Sequence, residues 1–424
     1  MTYRETLSYI YGLGRFGMKP GLARITALLK ALHDPQDAFK TIHVAGTNGK
    51  GSTSCFLASI LAEGGHRVGL FTSPHLISFT ERIRINGREI AEEEVLSLAE
   101  RVIAAALPET TFFEMVTAMA SLYFAEQGVD LAVMEVGMGG RLDATNALSG
   151  ILSIITSVSR DHCEYLGDSL AAIAREKAGV IKAGRPVVVS PQEEDSLAVI
   201  RACCRETESP FYGFGEAFAA SWSEGGISYR GLGLGLDGLS SGLAGRYQLV
   251  NAASALAAAE LLGAAGFNMD ADALRCGIEK AQWPGRMEMI GPSPRILLDG
   301  AHNPAGSKAL AEALEDVSRK RLLLVAGVMG DKDEDGILGP LFPLADEIFA
   351  VAPSLARALP SDRLAGFCRS RGAFAHDAGS VANGLSSARD AAGPDDLVLV
   401  CGSLFTVGEA RAFLLSRDFE PFRG

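Results

Sequence analysis

Residues 41–73, TIHVAGTNGKGSTSCFLASILAEGGHRVGLFTS, decide the fold. The first six form a β-branched run that ends at a glycine loop. Residues 52–65 place apolar side chains at helical spacing and stop at two glycines, and residues 66–73 read as the next strand. Strand, loop, helix, strand is a βαβ unit with the loop at the carboxyl end of its first strand. A helix that starts there aims unpaired N–H groups and a positive dipole end at whatever occupies the loop.

The loop departs from the common phosphate-loop spelling G-x-x-x-x-G-K-[ST]. Gly51 separates Lys50 from Ser52, and Val44 stands where the first glycine is usual. Gly46, Gly49 and Gly51 permit close backbone approach, and Lys50 carries a charge suited to phosphates. Ser52 can cap the helix or reach toward a magnesium shell. The bland alternative is a βα turn with an exposed lysine. Two other glycine stretches, 12–17 (GLGRFG) and 233–238 (GLGLDG), satisfy G-x-G-x-x-G but lack the strand-turn-helix setting, so both read as turns.

Further apolar strands are expected at 130–137, 150–158 and 186–190, with helices between them, giving a largely parallel sheet covered on both faces. Residues 211–246 turn to short Gly-, Ser- and Tyr-containing segments that suggest hairpins, and 247–266 form an apolar helix. After the linker-like GPSPR at 291–295 a second alternating series begins. The predicted fold is α/β: a P-loop-containing, mainly parallel domain over 1–290 and a smaller Rossmann-like α/β domain over 291–424.

The 424 residues carry a net charge of −12 and no long basic run, which argues against nucleic acid as a partner. Seven scattered cysteines without zinc spacing suit a reducing compartment. Neither a signal peptide nor a bilayer-length apolar stretch is visible, so a cytoplasmic protein without membrane attachment is expected.

Three clusters accompany the loop. MEVGMGGRLDATN (134–146) ends an apolar strand on Glu135, either a salt-bridged core carboxylate or a magnesium ligand. SVSRDHCEYLG (157–167) brings His162 to a similar level, and REKAGVIKAG (175–184) offers Lys177 on a short helix. In the second series, LLDGAHNPAG (297–306) sets Asp299 and His302 between a strand and a helix, though Asn303–Pro304 could simply start that helix.

In this order the motifs resemble the folylpolyglutamate synthases and dihydrofolate synthases of the Mur ligase superfamily. The likeness runs from RFGMKPGLARI (15–25) through HVAGTNGKGSTS, LFTSPHLISFTERIRING, EVGMGGRLDATN, SVSRDHCEYLG and REKAGVIK. It continues to GRYQLVNAASALAA, WPGRME, LLDGAHNP, GDKD (330–333) and CGSLF (401–405). The resemblance implies an ATP-dependent ligase in which a carboxylate of dihydropteroate or a reduced folate becomes an acyl phosphate and L-glutamate then attacks. It implies that Gly49, Lys50, Gly51 and Ser52 cradle ATP phosphates and that Ser73, Glu135 and His162 hold Mg2+. Lys177 matches a carbamylated lysine, Asn251 and Arg286 would contact ATP from the first domain, and Asp299 from the second. Lys50, His302 and Lys177 are the candidate catalytic residues, with His302 and Ser403 handling glutamate. The pterin end would lie near Met18, Lys19, Pro20 and Gly21, near Thr111, Phe112, Phe113 and Glu114, and near Leu142, Asp143 and Ala144.

Lys50, Arg82, Arg84, Arg141 and Arg286 are the cations available to make a positive cleft in an acidic chain. A ligase acting on a uridine-linked precursor would need a further amino-terminal domain before the loop. A P-loop kinase would carry the usual spelling, and a noncatalytic nucleotide binder would lack one of Lys50, Glu135 or His162. A monomer with both activities is expected, with only one of the two as the alternative.

Overall fold

The computed structural model describes residues 1–16, 21–161 and 163–420. Met18, Lys19, Pro20 and His162 lie outside the described residues. The largest sheet contains β1 (Lys40–Ala45), β2 (Val68–Phe71), β3 (Ile83–Ile85), β4 (Arg88–Glu89), β5 (Leu131–Glu135), β6 (Gly150–Ile155), β7 (Val187–Val189) and β8 (Phe211–Gly213). Their order is β4-β3-β2-β5-β1-β6-β7-β8, with only the β2–β3 and β3–β4 pairs antiparallel.

The apolar strands follow from their two buried faces. Ile42, Val44, Leu131, Val133, Leu152 and Ile154 pack on one side with residues of the helices Lys50–Glu63 and Gln248–Ala264. Phe71, Ala132 and Met134 pack on the other, against the helix Phe112–Glu126. Period-two alternation between two apolar layers removes the polar alternation of a half-exposed strand. Since β5 and β6 flank β1, the chain crosses from one side of β1 to the other between them. Such a switch point opens a crevice at the carboxyl ends of the strands.

β9 (Ala219–Ser223), β10 (Gly226–Arg230) and β11 (Gly235–Leu239) form an antiparallel meander, as the hairpin reading of 211–246 anticipates. Two details differ. β8 pairs in parallel with β7 and extends the large sheet, and the glycine stretch 233–238 runs into β11 instead of forming a turn. Antiparallel pairing with β10 across an irregular register brings both Leu236 and Leu239 into the core and overrides the glycine content there.

The third sheet holds β12 (Glu288–Ile290), β13 (Arg295–Leu298), β14 (Leu322–Ala326), β15 (Glu347–Ala352), β16 (Ala375–Ser380) and β17 (Leu397–Cys401), in the order β12-β13-β17-β14-β15-β16. All its neighbours are parallel except β12–β13, and residues 291–294 form the turn between those two. Leu297, Leu322, Leu324 and Leu399 fill one face, while Ile296, Leu298, Leu323 and Val398 fill the other. Leu76, from the loop after β2, inserts into this second layer, so the two large sheets share a packed contact. Among the described residues, no helix is long and apolar enough to cross a membrane.

Candidate active site

At the carboxyl end of β1 the chain turns through Gly46–Gly49 into the helix Lys50–Glu63. Gly49 caps it at φ 86°, and a Cβ there would collide with the Asn251 side chain; a Cβ on Gly46 would strike Thr156. Glycine is therefore required at both positions. The helix start is held from behind: Gln248 donates to the Ser52 hydroxyl (3.3 Å) and Thr53 to Asn251 Oδ1 (3.4 Å). Trp283 lies against Gly51, with the Arg84 guanidinium 5.2 Å from its ring centre.

A cavity of about 390 Å3 opens over this loop. One wall carries Lys50, Ser73, Glu135 and Lys177; Asn251 and Arg286 border it, and Asp299 and His302 face it from the third sheet. Lys50 Nζ donates to the carbonyls of Gly46 (3.2 Å) and Thr47 (3.1 Å), and Lys177 Nζ donates to the same Gly46 carbonyl at 2.7 Å. Burial, reinforced by the Lys50 charge, pushes the Lys177 pKa down to about 7.

Glu135 is 5% exposed, and burial raises its pKa against the opposing pull of Lys50, the Ser73 amide, Arg286 and Arg82. The Ser73 N–H donates to its Oε2 at 3.1 Å. A buried carboxylate with one amide donor, the Lys50 ammonium and two guanidinium groups nearby retains lone pairs for a hard cation. Its partner Ser73 supplies a hydroxyl, so these oxygen donors fit magnesium, which keeps several waters. Among the described residues no three His, Cys, Asp or Glu side chains gather as a metal cluster.

Asp299 is buried, accepting from the Tyr247 hydroxyl (3.0 Å) and from the backbone N–H groups of Met287 (3.0 Å) and Ala301 (2.9 Å). Burial raises its pKa, with Arg286 pulling the other way. His302 Nδ1 lies 2.8 Å from the Gly300 carbonyl, so Nδ1 carries the hydrogen and Nε2 presents a lone pair. Burial pushes its pKa down to about 4. The 3.9 Å approach of Nε2 to Asp161 is therefore not an ion pair at neutral pH.

Across the cleft, Asn48 of the loop and Asn303 exchange side-chain amide hydrogen bonds of 3.3 and 2.9 Å. Asp161 accepts from Lys332 at 2.7 Å and from Asn303 at 3.4 Å. Asn303 also caps the helix Pro304–Leu314 through the Gly306 N–H. No role for Asn48, Asp161 or Lys332 is visible in the sequence, and Asn303 shows there only as the start of the helix that it does cap, although all four lie inside the quoted motifs. Nothing in their spacing shows that two loops far apart in the chain meet.

Other expected residues fall elsewhere. The Ser403 hydroxyl caps the helix Leu404–Leu414 through the Thr406 N–H (3.1 Å) and is 1% exposed. Asp143 organises its own loop, accepting from the N–H groups of Thr145 and Met138, both at 3.0 Å. Leu142 and Ala144 flank it, partly and fully buried respectively. Thr111 and Glu114 form a capping box for the helix Phe112–Glu126, and Arg24 pairs with Glu114 at 3.1 Å. Phe113 lies under Gly137, which lines the cavity, while Phe112 stacks on Tyr11. Gly21 adopts φ 133° just after the undescribed stretch. Of the candidate cations, Lys50 and Arg286 reach the cleft, and Arg84 joins Arg286 in a small adjoining cavity. Arg141 is solvent-facing and paired with Glu176, and Arg82 is buried beside Phe112.

A glycine-rich turn after the central strand, a buried carboxylate beside it and a second α/β sheet closing the cleft define a nucleotide-using enzyme of the Mur ligase type. Residues 44–259 match the Mur ligase middle domain and residues 285–404 the Mur ligase, glutamate ligase domain. Within that superfamily the chain belongs to the folylpolyglutamate synthase/dihydrofolate synthase family. The dihydrofolate synthase/folylpolyglutamate synthase of Bacillus subtilis is 36% identical over 425 residues, covering 96% of this chain and 98% of its own. A probable bifunctional folylpolyglutamate synthase/dihydropteroate synthase of Haloferax volcanii is 39% identical over 431 residues; the match covers 97% of this chain but 50% of that longer relative. A bifunctional folylpolyglutamate synthase/dihydrofolate synthase from Yersinia pestis, complexed with AMPPNP and Mn ion, superposes with a TM-score of 0.88 at 33% identity, covering 98% of each chain.

Proposed function

We propose that this chain is an ATP-dependent ligase that adds L-glutamate to dihydropteroate and to folyl(poly)glutamates. The observation that carries the reading is the meeting of Lys50, Lys177 and Glu135 at a glycine loop, faced across the cleft by Asp299 and His302. Gly49, Lys50, Gly51 and Ser52 hold the ATP phosphates; Asn251, Arg286 and Asp299 contact the nucleotide. Ser73, Glu135 and His162 hold magnesium, which neutralises charge on the phosphates when bound. Relatives named for both synthase activities support the bifunctional reading.

Lys50 now donates to neutral carbonyls, and phosphate oxygens offer it charge-assisted partners in the same place. An oxygen of the acceptor carboxylate bonds to the terminal phosphorus as the bond to the departing diphosphate breaks. The glutamate amine then attacks the acyl carbon, phosphate leaves, and a proton leaves the nitrogen. Lys50 stabilises charge on the moving phosphoryl group without itself exchanging a proton. His302, neutral and with Nε2 open, orients the amine as a hydrogen-bond acceptor; a pKa near 4 makes it a weak base. Ser403 acts on glutamate only through the loop and helix it caps.

With its pKa near 7, Lys177 keeps much of its amine neutral, the form that adds carbon dioxide to give a carbamate. Pterin binding falls to residues 18–21, 111–114 and 142–144, of which Phe113 packs under the cavity-lining Gly137. A cytoplasmic monomer completes the reading. The test supplies ATP, magnesium and L-glutamate with either dihydropteroate or tetrahydrofolate and weighs the products. Glutamate gained by one acceptor alone reduces the enzyme to that single activity.

A further inference from the structure

We infer that the C-terminal segment 415–420 is a strap that positions the active-site loop 73–82, with Glu420 as its positioning residue. The inference rests on the ligase reading above. After the helix Leu404–Leu414 the chain leaves the third sheet and runs back to the loop that follows β2. The Glu420 N–H donates to the Ile77 carbonyl at 2.9 Å. Its Oε2 accepts from the Phe79 N–H (2.8 Å), the Ser78 hydroxyl (3.1 Å) and the Tyr3 hydroxyl (3.4 Å). Its carbonyl lies 3.0 Å from His75 Nε2.

The hydrogen bonds form a directed chain. Arg82 Nε can only donate, and it lies 2.8 Å from His75 Nδ1, so Nδ1 accepts and Nε2–H donates to Glu420. The loop's own Glu81 carboxylate takes the N–H groups of Leu76, Ile77 and Ser78 at 2.8, 2.9 and 3.1 Å. Phe79 is next and fully buried, and its N–H is taken by Glu420. Without the strap that buried donor loses this partner, which buried backbone seldom tolerates.

Packing ties the same loop to the third sheet. Leu76 belongs to the core layer there, and Gly408 lets the helix Leu404–Leu414 press on the Leu76 carbonyl. A Cβ on Gly408 would also stand 3.2 Å from the Phe419 ring. At its other end the loop carries Ser73, whose N–H holds Glu135. The strap thus sets the position of Ser73 and Glu135 according to where the third sheet sits. In ligation it acts on turnover more than on nucleotide binding, because the phosphate loop has its own supports.

The test compares wild type, Glu420→Ala and Glu420→Gln as full-length chains. Turnover, KM for ATP, thermal midpoint and hydrogen exchange across residues 73–82 are measured. The alanine variant is expected to lose about 10-fold or more in kcat, as misplaced reacting groups do, while KM for ATP changes less than about threefold. Exchange should quicken across 73–82 and not across the phosphate loop. Glutamine keeps an acceptor oxygen for Phe79 and should restore kcat to within about threefold of wild type. Unchanged kcat despite faster loop exchange overturns the positioning role. So does a joint fall of thermal midpoint, ATP affinity and turnover, which marks a structural contact alone. If wild type itself fails to ligate, the ligase reading falls, and exchange decides the strap: local quickening in the alanine variant supports it, and unchanged exchange overturns it.

Discussion

Lys50 and Lys177 share the Gly46 carbonyl, and the sharing separates their tasks. Lys50 is partly accessible from the cleft and, among the described residues, donates to backbone carbonyls and not to a carboxylate, so it can turn to a phosphate. Lys50→Ala is expected to lower ligation about 10²–10³-fold, the loss typical of a donor at developing charge, with little change in thermal midpoint. Lys177 carries a pH signature. Its folded pKa of about 7 lies below the ordinary 10.5, so between those values the unfolded chain binds more protons. Stability contributed by this group therefore rises with pH through that window and is lost below it. In bicarbonate-free buffer, denaturant titrations from pH 7 to pH 10 should show wild type gaining stability relative to Lys177→Met. An unchanged difference would mean that the amine is not perturbed.

Among the elements, the turn from β1 into the helix Lys50–Glu63 tolerates least. Gly49→Ala places a Cβ against Asn251 at φ 86°. It should destabilise the fold by about 1–3 kcal/mol and weaken nucleotide binding, measured by calorimetry and by a Gly263→Ala control at an open helical site. That turn was legible in the sequence because its glycines and its flanking strand and helix are contiguous. The strands were legible for the same reason, their two-sided burial leaving runs such as LLLV without polar breaks. Glycine content misled at β11, where cross-strand pairing and buried leucines decide the conformation. The composition of 211–246 puts β8 among the hairpins because three residues carry no record of which edge they join. Ser403 and Asp143 stand in recognisable motifs, yet motif membership does not reveal that their oxygens satisfy neighbouring backbone N–H groups.

For the whole molecule, function depends on the two large sheets meeting at a fixed distance. Asp161–Lys332 and the Asn48–Asn303 amide pair close one side of the cleft. Loop 73–82, with Leu76 and the Glu420 strap, closes the other. Contacts between residues 255 apart in the chain leave no local pattern, which is why both clasps escaped the sequence. Lys332→Ala removes the ammonium that Asp161, its side chain 9% exposed, accepts from at 2.7 Å. KM for glutamate is expected to rise by about 10-fold or more, as when one partner of a desolvated pair is removed, with ATP affinity less affected because the phosphate loop is intact. Equal losses for both substrates would argue against a clasp specific to closure.

The most direct test of glutamate ligation is mass analysis of products formed with ATP, magnesium and L-glutamate, using dihydropteroate and tetrahydrofolate in parallel, with phosphate release followed alongside. The expected result is one or more added glutamates on both acceptors, phosphate released in step, and both signals nearly abolished in Lys50→Ala. No glutamate on either acceptor, or product formation undiminished in Lys50→Ala, would contradict it.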